Sequence, residues 1–261
     1  MPAAETNLQI EPPLAFLTFN RPEARNAMTW AMYDALGEAC AEVDRNDMVR
    51  VLVLRGAGGK AFAAGTDISG FQSFETPDDG VRYEQHISGV LDRLELVTKP
   101  TIAQIEGVAA GAGCMIAATC DLRVASAEST FGIPIARTLG NCVSGGGFSR
   151  LVQLVGPGYA KEMLLTGRLM SAAEAKAIGL VNSVVAADAL DRVVHELALT
   201  IASNAPLTLQ ATKEMSRRLA AKGRLDSLET RDLIARCYAS ADFREGVTAF
   251  LAKRPPRWTG T

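Results

Sequence analysis

"EGVAAGAGCMIAATCD", residues 106–121, runs from a glutamate to an aspartate through small or apolar positions only, and its first half is almost entirely glycine and alanine. A helix entrance normally carries Ser, Thr, Asp or Asn, whose side-chain oxygen satisfies one of the first free N–H groups. Gly111, Ala112 and Gly113 stand in those places here. Bare N–H groups at the positive end of a helix suit an oxygen ligand. The preceding "TIAQIEG" (101–107) reads as a strand, so the stretch predicts strand, glycine turn and helix. The same order invites the dinucleotide fingerprint G-x-G-x-x-G, but its third glycine position is Ile116 and the stretch lies mid-chain.

A second glycine turn comes earlier. In "RVLVLRGAGGKAFAAGTDISGF" (50–71) a strand ends in "GAGGK", and "AFAAGTD" then sets Ala63, Ala64 and Gly65 where backbone rather than side chain meets a ligand. Two such turns can aim two N–H groups at one carbonyl oxygen, which is an oxyanion hole. A serine triad fits less well, because Ser144 lies in "CVSGG" rather than G-x-S-x-G and His86 and His195 are the only histidines.

Around these turns, "LAFLTFN" (14–20), "RVLVLRG" (50–56), "LRVAS" (122–126) and "LVNSVV" (180–185) read as further strands. Between the first two, Met32, Tyr33, Leu36, Cys40 and Val43 form one helical stripe after a Thr29 cap. The alternation indicates an α/β fold. Strand signals stop near 188, and helices are expected over 188–203, 206–222 and 226–252; Ser171 and Glu174 form a capping box just before them. Two regions follow: 1–187 as the core with the site, and 188–261 as a helical region for packing on the core or on another subunit.

The chain has 261 residues, 48% hydrophobic and 21% charged, with a net charge of −2 and no basic stripe, so neither nucleic acid nor an anionic membrane is an expected partner. No window is long and apolar enough to span a membrane and the first residues show no signal-peptide pattern, so a cytoplasmic location is expected. The five cysteines are scattered without a CxxC pair and read as buried free thiols, with no metal site expected.

"RPEARNAM" (21–28), "KAFAAGTDI" (60–68), residues 106–126, "FGIP" (131–134), "GPGYAKEMLLTGRLMSAAEAKAIGLVNSVV" (156–185) and "FLAKRPPRW" (250–258) together resemble the crotonase superfamily, the enoyl-CoA hydratase/isomerase family, in order and spacing. The resemblance implies a spiral of ββα units with C-terminal helices that pack subunits into a homotrimer or a dimer of trimers. It implies an acyl-CoA thioester substrate, with coenzyme A entering only as part of that substrate and no separate cofactor. By position it assigns the thioester oxygen to the N–H groups of Ala64 and Ala112. It places Gly65, Thr66, Asp67, Arg25 and Lys253 on the CoA side, the two cations near the phosphates.

The sequence departs from the family where the hydratases it resembles carry two glutamates, one on the helix after the glycine turn and one after the "FG-x-P" segment. These positions are Met115 and Ile135, which cannot move a proton. Enolate stabilisation without ordinary hydration is the expected chemistry. The segment 136–151, one residue longer than usual in the family, brings Arg137, Thr138, Asn141 and Cys142 toward the acyl group. The segment 71–100, with Tyr83, Glu84 and His86 on its predicted helix, is expected to cover the acyl pocket. Asp67 and Asp121 also read as turn-bonding residues. The alternatives are a CoA-thioester-binding protein of this fold without turnover, and a dinucleotide-dependent oxidoreductase.

Overall fold

The computed structural model describes residues 4–223 and 228–261. Ten strands, β1 (Thr6–Glu11), β2 (Leu14–Phe19), β3 (Val51–Gly56), β4 (Ala61–Ala63), β5 (Thr101–Ile105), β6 (Val108–Ala110), β7 (Leu122–Ser126), β8 (Thr130–Gly132), β9 (Met170–Ser171) and β10 (Ser183–Val185), are shared between two sheets among the described residues. The larger sheet runs β1-β2-β3-β5-β7-β10 and the smaller β4-β6-β8-β9. Each successive turn of chain gives one strand to each sheet: β3 then β4, β5 then β6, β7 then β8. That is the ββα spiral.

The helices are α1 (Trp30–Arg45), α2 (Pro77–Leu96), α3 (Ala112–Thr119), α4 (Ile135–Thr138), α5 (Gly145–Thr166), α6 (Ala172–Ala177), α7 (Leu190–Ala202), α8 (Pro206–Lys222), α9 (Arg231–Ala239) and α10 (Ala241–Leu251). Thr29 caps α1 by accepting from the Met32 N–H, and the Ser171/Glu174 capping box opens α6, both as the sequence indicates. The expected stripe of α1 is buried throughout.

Period-2 alternation in the large sheet separates two apolar layers. Ala15, Leu17, Phe19, Leu52, Leu54, Ala103 and Ile105 face the main core between the sheets, with α1 to α3 and α5 packed around it. Leu14, Phe16, Val51, Val53, Ile102 and Val124 face the other way and are covered by Leu190, Val194 and Ala198 of α7. The first helix of the 188–261 region is therefore a layer of the core.

Three expectations need correction. The strand expected over 101–107 ends at Ile105, because Gly107 at φ +72° turns the chain from one sheet into the other, where a strand the sequence did not indicate, β6, begins at Val108; a Cβ at Gly107 would lie 2.1 Å from the Lys60 carbonyl oxygen. The single helix expected over 226–252 is α9 and α10, since Ser240 adopts extended backbone and accepts from the Phe243 N–H, ending one helix and capping the next. Its first two positions, 226 and 227, lie outside the described residues. Of the five cysteines, Cys40, Cys114 and Cys120 are buried, and burial pushes their thiols up to about 12, whereas Cys142 is exposed and Cys237 partly so.

The far end of α3 is closed by a buried cation. Arg123 on β7 donates to the carbonyls of Leu180 (2.7 Å), Ala117 (3.2 Å) and Cys120. It thus satisfies carbonyls that the helix end leaves unpaired, where a positive charge also suits the helix dipole. Arg123→Met strands these acceptors without water and is expected to destabilise the fold by about 3 kcal/mol, read from the urea midpoint.

Candidate active site

The first turn is built from two left-handed residues. Arg25 (φ 51°) and Asn26 (φ 55°) reverse the chain, and the buried Asn26 amide donates to the carbonyls of Ala57 (3.0 Å) and Ala61 (2.7 Å), fixing the turn against β4. The Arg25 carbonyl then accepts the Ala64 N–H at 3.1 Å. Three residues on, Met28 donates to the Gly65 carbonyl at 2.8 Å and accepts from the Asp67 N–H at 2.9 Å. Gly65 and Asp67 thus face Met28, and the N–H of the intervening Thr66 points to the opposite edge, as alternation in extended chain requires. No acceptor among the described residues takes it.

The second turn is the bare helix entrance. Gly111 (φ 52°) donates to the Gly132 carbonyl at 2.9 Å, its own carbonyl accepts from Met115, and no side chain caps α3. Ala112 is the first helical residue, and its N–H also has no acceptor among the described residues. The two glycines serve differently: Gly111 holds a positive φ that side-chain-bearing residues rarely adopt, and Gly113 allows a close contact. A Cβ at Gly113 would fall 1.9 Å from the Ala63 carbonyl oxygen, and one at Gly111 would lie 3.5 Å from the Gly65 Cα. The two turns therefore abut backbone to backbone.

Both turns line one cavity of about 320 Å³. Phe71, Tyr83, Ile87 and Leu91 from the 71–100 segment wall it, together with Ile133, Leu139 and Val143, so that segment covers the pocket as expected. Met115 and Ile135 also line it, so the two positions without a carboxylate belong to the site.

The predicted residues divide accordingly. Ala64, Gly65, Thr66 and Ala112 line the cavity, and Arg25, Asp67 and Lys253 do not. The assignment of the Ala64 N–H is corrected, because the Arg25 carbonyl already holds it. Nothing in the residue spacing tells which of three consecutive N–H groups serves; the Arg25 carbonyl takes that of Ala64, those of Gly65 and Thr66 have no acceptor among the described residues, and the bridge to Met28 aims the Thr66 N–H away from that strand. The Thr66 side chain is also not available to a ligand, since its Oγ1 bridges the hydroxyls of Tyr33 (2.7 Å) and Tyr83 (2.6 Å). Asp67 accepts from the Ser69 N–H and from Arg21, both at 3.1 Å, and these bonds, the Ser69 ones foremost, hold its carboxyl below the usual range. It is a turn residue, as is Asp121, which accepts from the Thr101 N–H at 2.7 Å.

Of the polar loop residues, Thr138, Asn141 and Cys142 line the cavity, whereas the Arg137 side chain lies beside Gly167. His86 turns away toward α1, its Nε2 3.3 Å from the Asp34 carboxylate and its ring against Trp30. Glu84 does line the cavity. Its spacing with Ile87 and Leu91 on α2 was the readable signal, since residues three and seven apart share a helix face.

The sequence profile of the enoyl-CoA hydratase/isomerase family matches residues 9–261. This chain belongs to that family. It is 36% identical over 252 residues to the short-chain-enoyl-CoA hydratase of Clostridium acetobutylicum, covering 95% of this chain and 94% of the relative. To the crotonyl-CoA hydratase of Syntrophomonas wolfei it is likewise 36% identical over 252 residues, covering 95% of each. The crystal structure of an enoyl-CoA hydratase/carnithine racemase from Magnetospirillum magneticum superposes with a TM-score of 0.93 at 34% identity, over 99% of this chain and 96% of that one. The fold is the crotonase fold, and the dinucleotide reading is set aside with it.

Within this enoyl-CoA hydratase/isomerase family member, the Tyr33–Thr66–Tyr83 bridge ties α1 and α2 to the first turn. Burial raises the pKa of both tyrosines, so both hydroxyls stay protonated and need a partner. Thr66→Val keeps the N–H and the shape but removes the shared oxygen. Its expected cost is about 1–3 kcal/mol with an unchanged denaturant slope, measured by urea unfolding.

Proposed function

We propose that this protein is an acyl-CoA enzyme that binds the thioester oxygen between the N–H groups of Thr66 and Ala112 and stabilises the enolate formed when the adjacent carbon loses a proton. The observation that carries the reading is these two main-chain donors, without acceptors among the described residues, on two turns that touch, at the edge of an apolar cavity. Such donors are fixed before the reaction starts, so charge developing on the oxygen costs little reorganisation. The positive end of the α3 dipole adds to the same stabilisation. The apolar walls suit an acyl chain, and the relatives are named as hydratases of CoA thioesters. Arg25 and Lys253, both exposed, are assigned to the CoA phosphates by family position. Exposed Ile234, Tyr238, Val247, Phe250 and Leu251 on α9 and α10 are the surface we assign to packing between copies, in the homotrimer or dimer of trimers that the resemblance implies.

Proline is favoured at the first helical position and lacks the N–H, so Ala112→Pro removes one donor at a place where a helix tolerates it. Incubation with a panel of acyl-CoAs, followed by mass spectrometry, is expected to show turnover reduced about 10²- to 10³-fold in the folded variant, with affinity for free CoA unchanged. Undiminished turnover overturns the assignment of Ala112. Absence of turnover in the wild type, with acyl-CoA still bound, returns the reading to a thioester-binding protein without catalysis.

Met115 and Ile135 line the cavity without a titratable group. Hydration of crotonyl-CoA is therefore expected to be at least about 10³-fold slower than in a relative with both glutamates. The check is the decay of enoyl absorbance, with Met115→Glu/Ile135→Glu expected to quicken it.

A further inference from the structure

An enolate site needs a group to carry the proton, and the two positions that supply carboxylates in the resembled hydratases supply none here. Among the described residues, the cavity lining contains three ionisable side chains, Tyr83, Glu84 and Cys142, and no lysine, arginine or histidine. The Tyr83 hydroxyl is committed to Thr66 at 2.6 Å. Glu84 has no such bond to another side chain among the described residues. It sits half-buried on α2, one residue from the tyrosine whose partner, Thr66, presents a main-chain donor at the same cavity. Four residues on, the Ser88 hydroxyl donates to Ser144 at 3.0 Å, and Ser144 caps α5 through the Gly147 N–H at 3.1 Å. The segment of α2 that carries Glu84 is thus pinned on both sides, to the first turn and to α5.

We propose that Glu84 is the proton-carrying catalytic residue of this site, reaching the thioester's α-carbon from α2 in place of groups at positions 115 and 135. The inference rests on the thioester reading above. The carboxylate takes a proton from the α-carbon; the C–H bond breaks, an O–H bond forms on Glu84, and the electron pair passes to the thioester oxygen held by the two N–H groups. Reversal returns a proton to the same carbon, so the step is balanced without any co-reactant. Burial pushes the Glu84 carboxyl above its ordinary value, and the Ser144 main-chain N–H pulls it the other way. A half-buried carboxyl raised in this manner is a stronger base than a free one. The titratable groups around it are Tyr83 on its own helix, Tyr33 on α1 and Cys142 on the loop before α5.

Butyryl-CoA in D₂O tests this, because the partly exposed Glu84 carboxyl trades its O–H proton for a solvent deuteron between removal and return, so that an α-hydrogen is replaced by deuterium, which is followed by proton NMR. The wild type is expected to exchange, at a rate that rises with pH as the carboxyl ionises, with a midpoint above the ordinary carboxylate range. Glu84→Gln, nearly isosteric at a half-exposed position, is expected to slow exchange at least about 10²-fold and to lose that pH dependence, with butyryl-CoA affinity held within a few-fold. Glu84→Asp is expected to recover part of the rate. Exchange by Glu84→Gln at the wild-type rate, or a wild type that binds butyryl-CoA and exchanges nothing, overturns the role of Glu84 and leaves the binding site intact. A wild type that does not bind butyryl-CoA overturns the thioester reading and the inference together.

Discussion

The seating of α3 on β4, with Gly113 against the Ala63 carbonyl, is the contact on which the other features of the site depend. A single methyl group at position 113 would fall 1.9 Å from that oxygen, far inside van der Waals contact, so the helix and the strand can touch only as bare backbone. This contact sets the height of the α3 entrance relative to the first turn and lets Gly111 approach Gly65. A Ser or Asp cap in the usual sense is barred too, because the cap position, Gly111, holds a positive φ at which a side chain is strained. The helix is anchored from its other end, where Arg123 gathers the carbonyls of Ala117 and Cys120.

The large sheet supports this arrangement because its central strands, β2, β3, β5 and β7, are buried on both faces. One face holds the core that carries the two turns, and the other is closed by α7. The strands closest to the site belong to the smaller sheet, β4, β6 and β8, each of three residues. Their short ladders could not stand alone; they are held because each continues directly from a turn out of the large sheet. Rigidity at the site is thus borrowed from the larger layer.

Much of this was legible in the sequence where chemistry is local. Thr29 and the Ser171/Glu174 pair announced helix starts, the stripe from Met32 to Val43 announced a buried face, and the glycine–alanine run at 106–121 announced an uncapped helix entrance. What escaped was set by distant partners. Strands of three residues, such as Ala61–Ala63 and Val108–Ala110, are too short to show alternation. The break at Ser240 lay inside a continuous helical pattern, and a lone serine there reads equally well as a surface residue. The choice between the N–H groups of Ala64 and Thr66 depends on the Arg25 carbonyl, which lies far back in the chain and reaches Ala64 only after folding. Glu84 was seen on its helix, but its side of the helix became meaningful once α2 was known to roof the cavity.

The two N–H donors belong to the main chain, and this divides the site into parts that change by different routes. Replacing the side chain at position 66 or 112 by another non-proline residue leaves the donor where it was, so point substitution rarely erases it. A proton carrier is a side chain, open to loss at one position and gain at another wherever a wall element reaches the same carbon. A lineage built on such a frame inherits its grip on a carbonyl oxygen as chain geometry, while the reaction performed on the captured group is free to drift. Side-chain identity is then a poor guide to which reaction a given descendant performs, and the placement of ionisable groups around the fixed frame is the better one.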